Sequence, residues 1–261
     1  MARPCAATDK PMTDQTPDLQ IDGAIATITL RRPAQANRLS ADDLDRLGAL
    51  IADVNARDDV LVLLLRGTGK YFCSGFDIGS IGSGEESSFA EIVDALEDAR
   101  AVTIAVLHGG VYGGATDLAL ACDFRIGAHG VDMFMPAARL GLHYYQSGLE
   151  RYVTRLGLDN AKRLFLTAQK IDATAMKAIG YLTHLVAPEA LEAEVTNLSG
   201  TCASMAPIPL IGMKRHLNRI ARGTLDASAL QADIERAYRS DDLREGQAAW
   251  AEKRAPRFVG K

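Results

Sequence analysis

The chain has 261 residues, of which 48% are hydrophobic and 24% charged, and its formal net charge is -4. That balance suits one sizeable globular domain and excludes a general nucleic-acid binder, which needs a basic face. No stretch approaches the roughly 20 uninterrupted apolar residues of a membrane-spanning helix, so neither nucleic acid nor membrane is an expected partner. In chain order, residues 1–16, "MARPCAATDKPMTDQT", are polar and broken by proline. They lack the apolar core of a signal peptide and read as a disordered leader, with Met12 a candidate start and a cytoplasmic location expected. "IATITLRRP" alternates as a strand does and stops at Pro33. Ser40 and Asp43 have capping-box spacing ahead of Leu44, Leu47, Ile51 and Val54, which share one helical face. "VLVLLLRG" reads as a strand covered on both faces, followed by the glycine/serine loop "YFCSGFDIGS". A helical stretch, "SFAEIVDALEDA", leads to a second buried strand, "VTIAVLHGG".

The next segment, "GGVYGGATDLALACDFRIG", places Gly109, Gly110, Gly113 and Gly114 between an apolar strand and an apolar helix, with Asp117 one helical turn in. Further strands are expected at "FRIGAH" and "THLVAP", separated by helices such as "DNAKRLFLTA" and "DATAMKAIG", with Gly180 as a C-cap. From Leu191 onward only amphipathic helices are expected. The reading is therefore α/β, with a core over residues 17–190 and a helical region over 191–261. Cys5, Cys73, Cys122 and Cys202 show no CxxC pair and read as buried reduced thiols. His129, His184 and His216 lack metal-ligand spacing, and no metal site is expected. His108, just before the glycine turn, is placed to tie the strand end.

Both glycine loops end a buried strand and open a helix, where α/β folds favour ligand sites. Neither has the GxxxxGK[ST] or GxGxxG spacing of a phosphate cradle. Two backbone donors from separate loops suit one oxygen that becomes negative during reaction. The alternative is that the glycines only let helices pack close to strands.

Together, "KYFCSGFDIGSI" and "AVLHGGVYGGATDLALACDFRIGA" resemble the paired signature of the enoyl-CoA hydratase/isomerase, or crotonase, superfamily. "LRRPAQANRLS", "MPAARLGL", "KIDATAMKAIGYLTHLV" and "AAWAEKRAPRF" extend the similarity from about residue 17 to the end. The resemblance implies a crotonase-like spiral of ββα repeats with a helical C-terminal region used in trimerisation, as a homotrimer or a dimer of trimers. It also implies chemistry on acyl-CoA thioesters through an enolate, with coenzyme A entering as part of the substrate and no bound cofactor. The oxyanion donors would be the amides of Phe76 and Gly114. Substrate and coenzyme A contacts would fall on Arg38, Ser74, Gly75, Asp77, Ile78, Gly113 and Lys253. The usual cation after the first strand is replaced by Ala34, leaving Arg32 and Arg38 nearby, and Arg254 and Arg257 add charge beside Lys253.

Hydratases of this kind use two acids. The first falls on Asp117, which either carries a proton or only complements a helix N-terminus; the second falls on Ala137, so one acid is missing. "GLHYYQSG" resembles the methylmalonyl-CoA decarboxylase branch, with Tyr144 at its active-site tyrosine and His143 a candidate acid or a surface residue. The expected function is an acyl-CoA enzyme of the hydratase/isomerase family. The alternatives are a decarboxylase using Asp117 and Tyr144, or a catalytically impaired acyl-CoA-binding subunit.

Overall fold

The structure is a computed structural model that describes residues 15–77 and 86–261; residues 1–14, Ile78 and most of the expected leader lie outside the described residues. Strand β1 (Asp18–Asp22) turns through Gly23 and β2 (Ile25–Leu30) returns against it, with Asp18 opposite Thr29. Helix α1 (Ala41–Asn55) starts at Ser40 in a complete capping box with Asp43, and Leu44, Leu47, Ile51 and Val54 are buried. Strand β3 (Val62–Gly67), α2 (Glu86–Glu97) and β4 (Val102–Leu107) follow, and every β4 residue is buried. After β5 (Val111–Tyr112) come α3 (Ala115–Ala121), β6 (Phe124–Ala128) and β7 (Asp132–Phe134). Helices α4 (Gln146–Leu156) and α5 (Leu158–Thr167) precede β8 (Ile171–Asp172), α6 (Ala173–Ala178) and β9 (His184–Val186). Gly180, just past α6, has a φ of 79°, as a residue after a helix end does.

Two sheets result. The larger has the order β1-β2-β3-β4-β6-β9 and is parallel from β2 onward; the smaller has the order β5-β7-β8. In the β4-β5-α3 turn, one strand joins the large sheet, the next joins the small one, and a helix closes the repeat. The chain thus winds as a spiral of ββα units. The sequence pattern does not mark β1, β5, β7 or β8. In β1 no residue is fully buried, and the other three are two or three residues long, too short to express a period of two.

Four helices, α7 (Leu191–Ala203), α8 (Pro207–Ala221), α9 (Ala227–Tyr238) and α10 (Asp241–Glu252), follow β9. Lys214 docks α8 on the spiral: its Nζ lies 2.6 Å from the Ala101 carbonyl oxygen and 2.8 Å from an Asp123 carboxylate oxygen. Met213, Leu217, Ile220 and Trp250 remain exposed on these helices. Among the described residues, no helix is long and apolar enough to cross a membrane. Cys73, Cys122 and Cys202 are buried and unpaired, and burial pushes the thiols of Cys73 and Cys122 up to about 12.

Two side-chain clamps hold the segments that flank the glycine loops. Arg125 and Arg155 both donate to the carbonyls of Leu120 and Cys122 at the end of α3. Asn37 is buried in the left-handed region, at a φ of 53°, a conformation that asparagine tolerates better than most residues. Its Nδ2 lies 2.8, 2.9 and 3.1 Å from the carbonyl oxygens of Thr68, Tyr71 and Phe72. The thiol of Cys73 bonds to the Asn37 carbonyl at 3.0 Å. His108 adds a contact from its Nε2 to the Gly69 carbonyl at 2.9 Å. We expect Asn37→Ala to lower unfolding free energy by about 1–3 kcal/mol, because it strands carbonyls that the amide now satisfies. Denaturant melts read this directly, and a loss below about 0.5 kcal/mol would mean that water replaces the clamp.

Candidate active site

The two glycine loops meet through backbone. Gly75 has a φ of 95°, and a Cβ added there would lie 2.8 Å from the Tyr112 carbonyl oxygen and 2.9 Å from the Gly114 amide nitrogen. Leu39 pairs with the segment around Phe76: its amide donates to Gly75 at 2.9 Å, and the Asp77 amide donates to Leu39 at 3.0 Å. That pairing leaves the Phe76 N–H facing away from Leu39. Neither the Phe76 nor the Gly114 N–H has a hydrogen-bond partner among the described residues. Gly113, at a φ of 55°, turns the chain between β5 and α3 so that the next amide is presented at the helix start.

Both donors border a cavity of about 460 Å³ whose wall is mainly apolar and aromatic. Ser74, Gly113, His143 and Tyr144 also line it. Ala137 is in the wall too, at the start of a short 3-10 turn, so the position that the resemblance assigns to a second acid is apolar in space as well as in sequence. Phe89 fills the space beside Gly114, where an added Cβ would stand 2.7 Å from the ring. Its ring centre is 5.9 Å from that of Phe76 and 6.2 Å from that of Tyr145. Among the described residues, no group of three His, Cys, Asp or Glu side chains could hold a metal ion.

Asp117 departs from the sequence reading. It follows Gly114 by three residues, as a side chain on the donor face of α3 should, yet it is fully buried and absent from the cavity wall. Its Oδ2 is 2.7 Å from Arg151 Nη1 on α4 and accepts a hydrogen bond from the Tyr145 hydroxyl, while Oδ1 has no partner. The sequence leads one to expect Asp117 to face the substrate; it lies instead behind Tyr145, which does line the wall. Burial pushes the Asp117 carboxyl up, against the pull of Arg151 and the Tyr145 hydroxyl. Arg151 also reaches Asp94 at 2.5 Å and Glu97 at 3.1 Å. Glu97 in turn pairs with Arg155 and Arg222, so three carboxylates meet three guanidiniums between α2, α3, α4 and α8.

Tyr144 is buried and stacks on Tyr145 with ring centres 4.5 Å apart, and its hydroxyl has no hydrogen bond among the described residues. Burial drives its ionisation well above the ordinary tyrosine range. His143 is exposed at the rim, with Nδ1 2.8 Å from the Tyr144 carbonyl oxygen. Arg38 forms an ion pair with Asp77 at 3.1 Å beside the first loop, which brings two expected coenzyme A contacts together. Lys253 ends α10 in the left-handed region and is exposed away from the cavity wall, while Arg254 is engaged by Glu245 and Glu252.

Sequence reasoning missed Tyr145 as the link to Asp117, and it missed Arg151 and Gly148. A Cβ on Gly148 would lie 2.4 Å from Tyr144 Cε1 and 2.9 Å from Asp117 Oδ2. One signal was present. In "QSGLERYVTRL", Gly148, Arg151, Tyr152 and Arg155 recur at helical spacing on one face, so arginines stand where an amphipathic helix puts its buried side.

The sequence model of the enoyl-CoA hydratase/isomerase family matches residues 20–261. The short-chain-enoyl-CoA hydratase of Clostridium acetobutylicum is 28% identical, with 90% of this chain and 94% of that protein covered. The peroxisomal Delta(3,5)-Delta(2,4)-dienoyl-CoA isomerase of Arabidopsis thaliana is 27% identical, over 91% of this chain and 94% of its own. Among solved structures, an enoyl-CoA hydratase/carnithine racemase from Magnetospirillum magneticum superposes with a TM-score of 0.89 at 26% identity, covering 94% of this chain and 96% of that one.

The buried charge cluster yields a stability prediction. Arg151→Met leaves Asp117 buried without its cation and should cost about 3–5 kcal/mol, whereas adding Asp117→Leu should recover part of that loss. Urea melts of the two variants test it, and a double variant no more stable than the single one would show that Arg151 acts through Asp94 and Glu97 instead.

Proposed function

The chain belongs to the enoyl-CoA hydratase/isomerase family, and we propose that it acts on an acyl-CoA thioester through an enolate whose oxygen is held by the amides of Phe76 and Gly114. The observation that carries this reading is the pair of N–H groups without partners, on two residues that line one apolar cavity where their loops meet. A thioester enolate concentrates charge on one oxygen, and a fixed donor aimed at it is worth about 3–4 kcal/mol in a site that excludes water. The thioester lies against Gly113 and Gly114, which line the cavity without side chains. The acyl chain runs between Phe89, Leu140 and Leu142 toward Tyr145. Arg38 holds coenzyme A phosphate at the surface, coenzyme A enters with the substrate and no resident cofactor takes part. Exposed apolar side chains on α8 and α10, with Trp250 at 87% exposure, support assembly into a homotrimer or a dimer of trimers.

Which bond changes is the finer part of the proposal. Relatives include both a hydratase and an isomerase, and Ala137 removes one of the two acids that hold water in the hydratases. The common single-base isomerase usually retains that same acid, so Ala137 counts against both, and we propose enolate chemistry at the carbon next to the thioester that does without it. A second reading, decarboxylation, is favoured by the Tyr144 hydroxyl, which is buried in the wall without a partner and is available to orient a departing carboxylate. Mass analysis of products from enoyl-, hydroxyacyl- and malonyl-type CoA thioesters separates the two, and unchanged thioesters throughout would identify a binding subunit.

Two variants test the core of the reading. Gly114→Pro deletes the N–H, but any side chain there also meets Phe89; Gly114→Ala meets Phe89 and keeps the N–H. Turnover of the proline variant should fall about 10²–10³-fold below that of the alanine variant, and equal rates would remove Gly114 from the mechanism. The unaltered protein should hydrate crotonyl-CoA weakly, and Ala137→Glu should raise hydration by up to about 10²-fold. Loss of the conjugated-thioester absorbance reads both, and robust hydration before substitution would defeat the argument from the missing acid.

A further inference from the structure

The geometry points to Tyr145 as the catalytic group that passes a proton between the substrate carbon and the buried Asp117. This inference rests on the enolate reading above and names the residue that makes and quenches the enolate. Asp117 cannot touch a substrate directly, because it is fully buried and has no surface on the cavity. Tyr145 spans the gap: it lines the cavity, and its hydroxyl donates to Asp117 Oδ2. The ring is fixed on two sides, stacked on Tyr144 with centres 4.5 Å apart and edge-on to Phe89 at 6.2 Å. Phe89 also fills the space beside Gly114, so one aromatic ring separates the hydroxyl-bearing residue from the oxyanion donor.

Most buried polar atoms in folded proteins have a hydrogen-bond partner. Here Oδ2 takes both Arg151 and Tyr145, and Oδ1 has no partner among the described residues. The proton step balances without any further reagent. The C–H bond next to the thioester breaks, and its electron pair becomes the enolate, with the charge on the oxygen held by Phe76 and Gly114. The Tyr145 oxygen takes that proton as its own moves to Asp117 Oδ2, so tyrosine stays neutral and the carboxylate becomes a carboxylic acid. Reversal delivers the proton to the same carbon or, along a conjugated chain, to another. Burial lowers the cost of the neutral acid, and Arg151 holds the carboxylate in line between turnovers.

The test uses a saturated thioester, which can enolise but has no double bond to hydrate or shift. In deuterium oxide, exchange of the hydrogens next to the carbonyl is followed by mass spectrometry on butyryl-, octanoyl- and decanoyl-CoA, with dissociation constants measured alongside. Tyr145→Phe keeps the ring stack and should cut exchange by about 10²-fold or more at unchanged affinity. Asp117→Asn should do the same, and the double variant should be no slower than the worse single one, as for residues acting as a unit. If Asp117→Asn does not fold, Tyr145→Phe carries the test alone. Exchange at the unaltered rate in Tyr145→Phe, with loss in Gly114→Pro relative to Gly114→Ala, overturns the relay and leaves the enolate reading standing. Equal exchange in the two Gly114 variants, or none in the unaltered protein, overturns the enolate reading itself. A fall in exchange matched by a fall in affinity makes Tyr145 a pocket-shaping residue and also overturns the relay.

Discussion

Where the two strand-end loops meet, a single missing methyl decides what is possible. A Cβ on Gly75 would fall within 3 Å of both the Tyr112 carbonyl oxygen and the Gly114 amide nitrogen, so the loops can approach only as bare backbone. The same approach brings two amides together while denying each a partner, because Leu39 bonds to the residues on either side of Phe76 and α3 begins just past Gly114. An amide without a partner is costly to maintain, and the surrounding clamps offset that cost. Asn37 holds the first loop by three carbonyls, and the turn at Gly113 is fixed by its own bond to the Phe134 carbonyl at 3.0 Å. Both loops are thus held by hydrogen bonds within the protein itself.

Behind that frame lies the second constraint, a carboxylate in a place that disfavours charge. Burial alone would neutralise Asp117, and Arg151 opposes it. Arg151 is available only because α4 crosses α3 with Gly148 at the contact, the space of its missing side chain being taken by Tyr144 and Asp117. The same guanidinium binds Asp94 and Glu97 on α2, and Glu97 extends the contact to Arg222, the residue that caps the end of α8. Helices that share no sheet strand are thereby tied together by charge behind the cavity wall, and removing one partner of such a buried pair costs more than the intact pair adds.

Local rules made much of this legible. The capping box at Ser40 and the apolar runs of β3 and β4 need only neighbouring residues, and they stand in the fold as the pattern predicts. The glycine loops were readable for the same reason, since surplus glycine between a strand and a helix has few uses. Asp117 shows where local reading ends. Its distance along the chain from Gly114 fixes its helical face, but its burial depends on Tyr145 and Arg151, 28 and 34 residues later, and on how α4 packs. The short strands of the small sheet were equally out of reach, because Val111 and Tyr112 become a strand only when β7 lies beside them.

The clamp at the far end of α3 has an electrostatic consequence. At a rise of 1.5 Å per residue, a seven-residue helix is about 10 Å long, so its negative pole lies close enough to weaken the field of its positive one. Arg125 and Arg155 cover that negative pole with two guanidiniums on the Leu120 and Cys122 carbonyls. Burial lowers Arg125 to about 10, which still leaves it cationic near neutrality. With its carbonyl end quenched, the short helix presents at Gly114 a potential closer to that of a much longer one. The Gly114 amide therefore sits in a more positive field, set in part by two guanidiniums at the opposite end of a helix of about two turns.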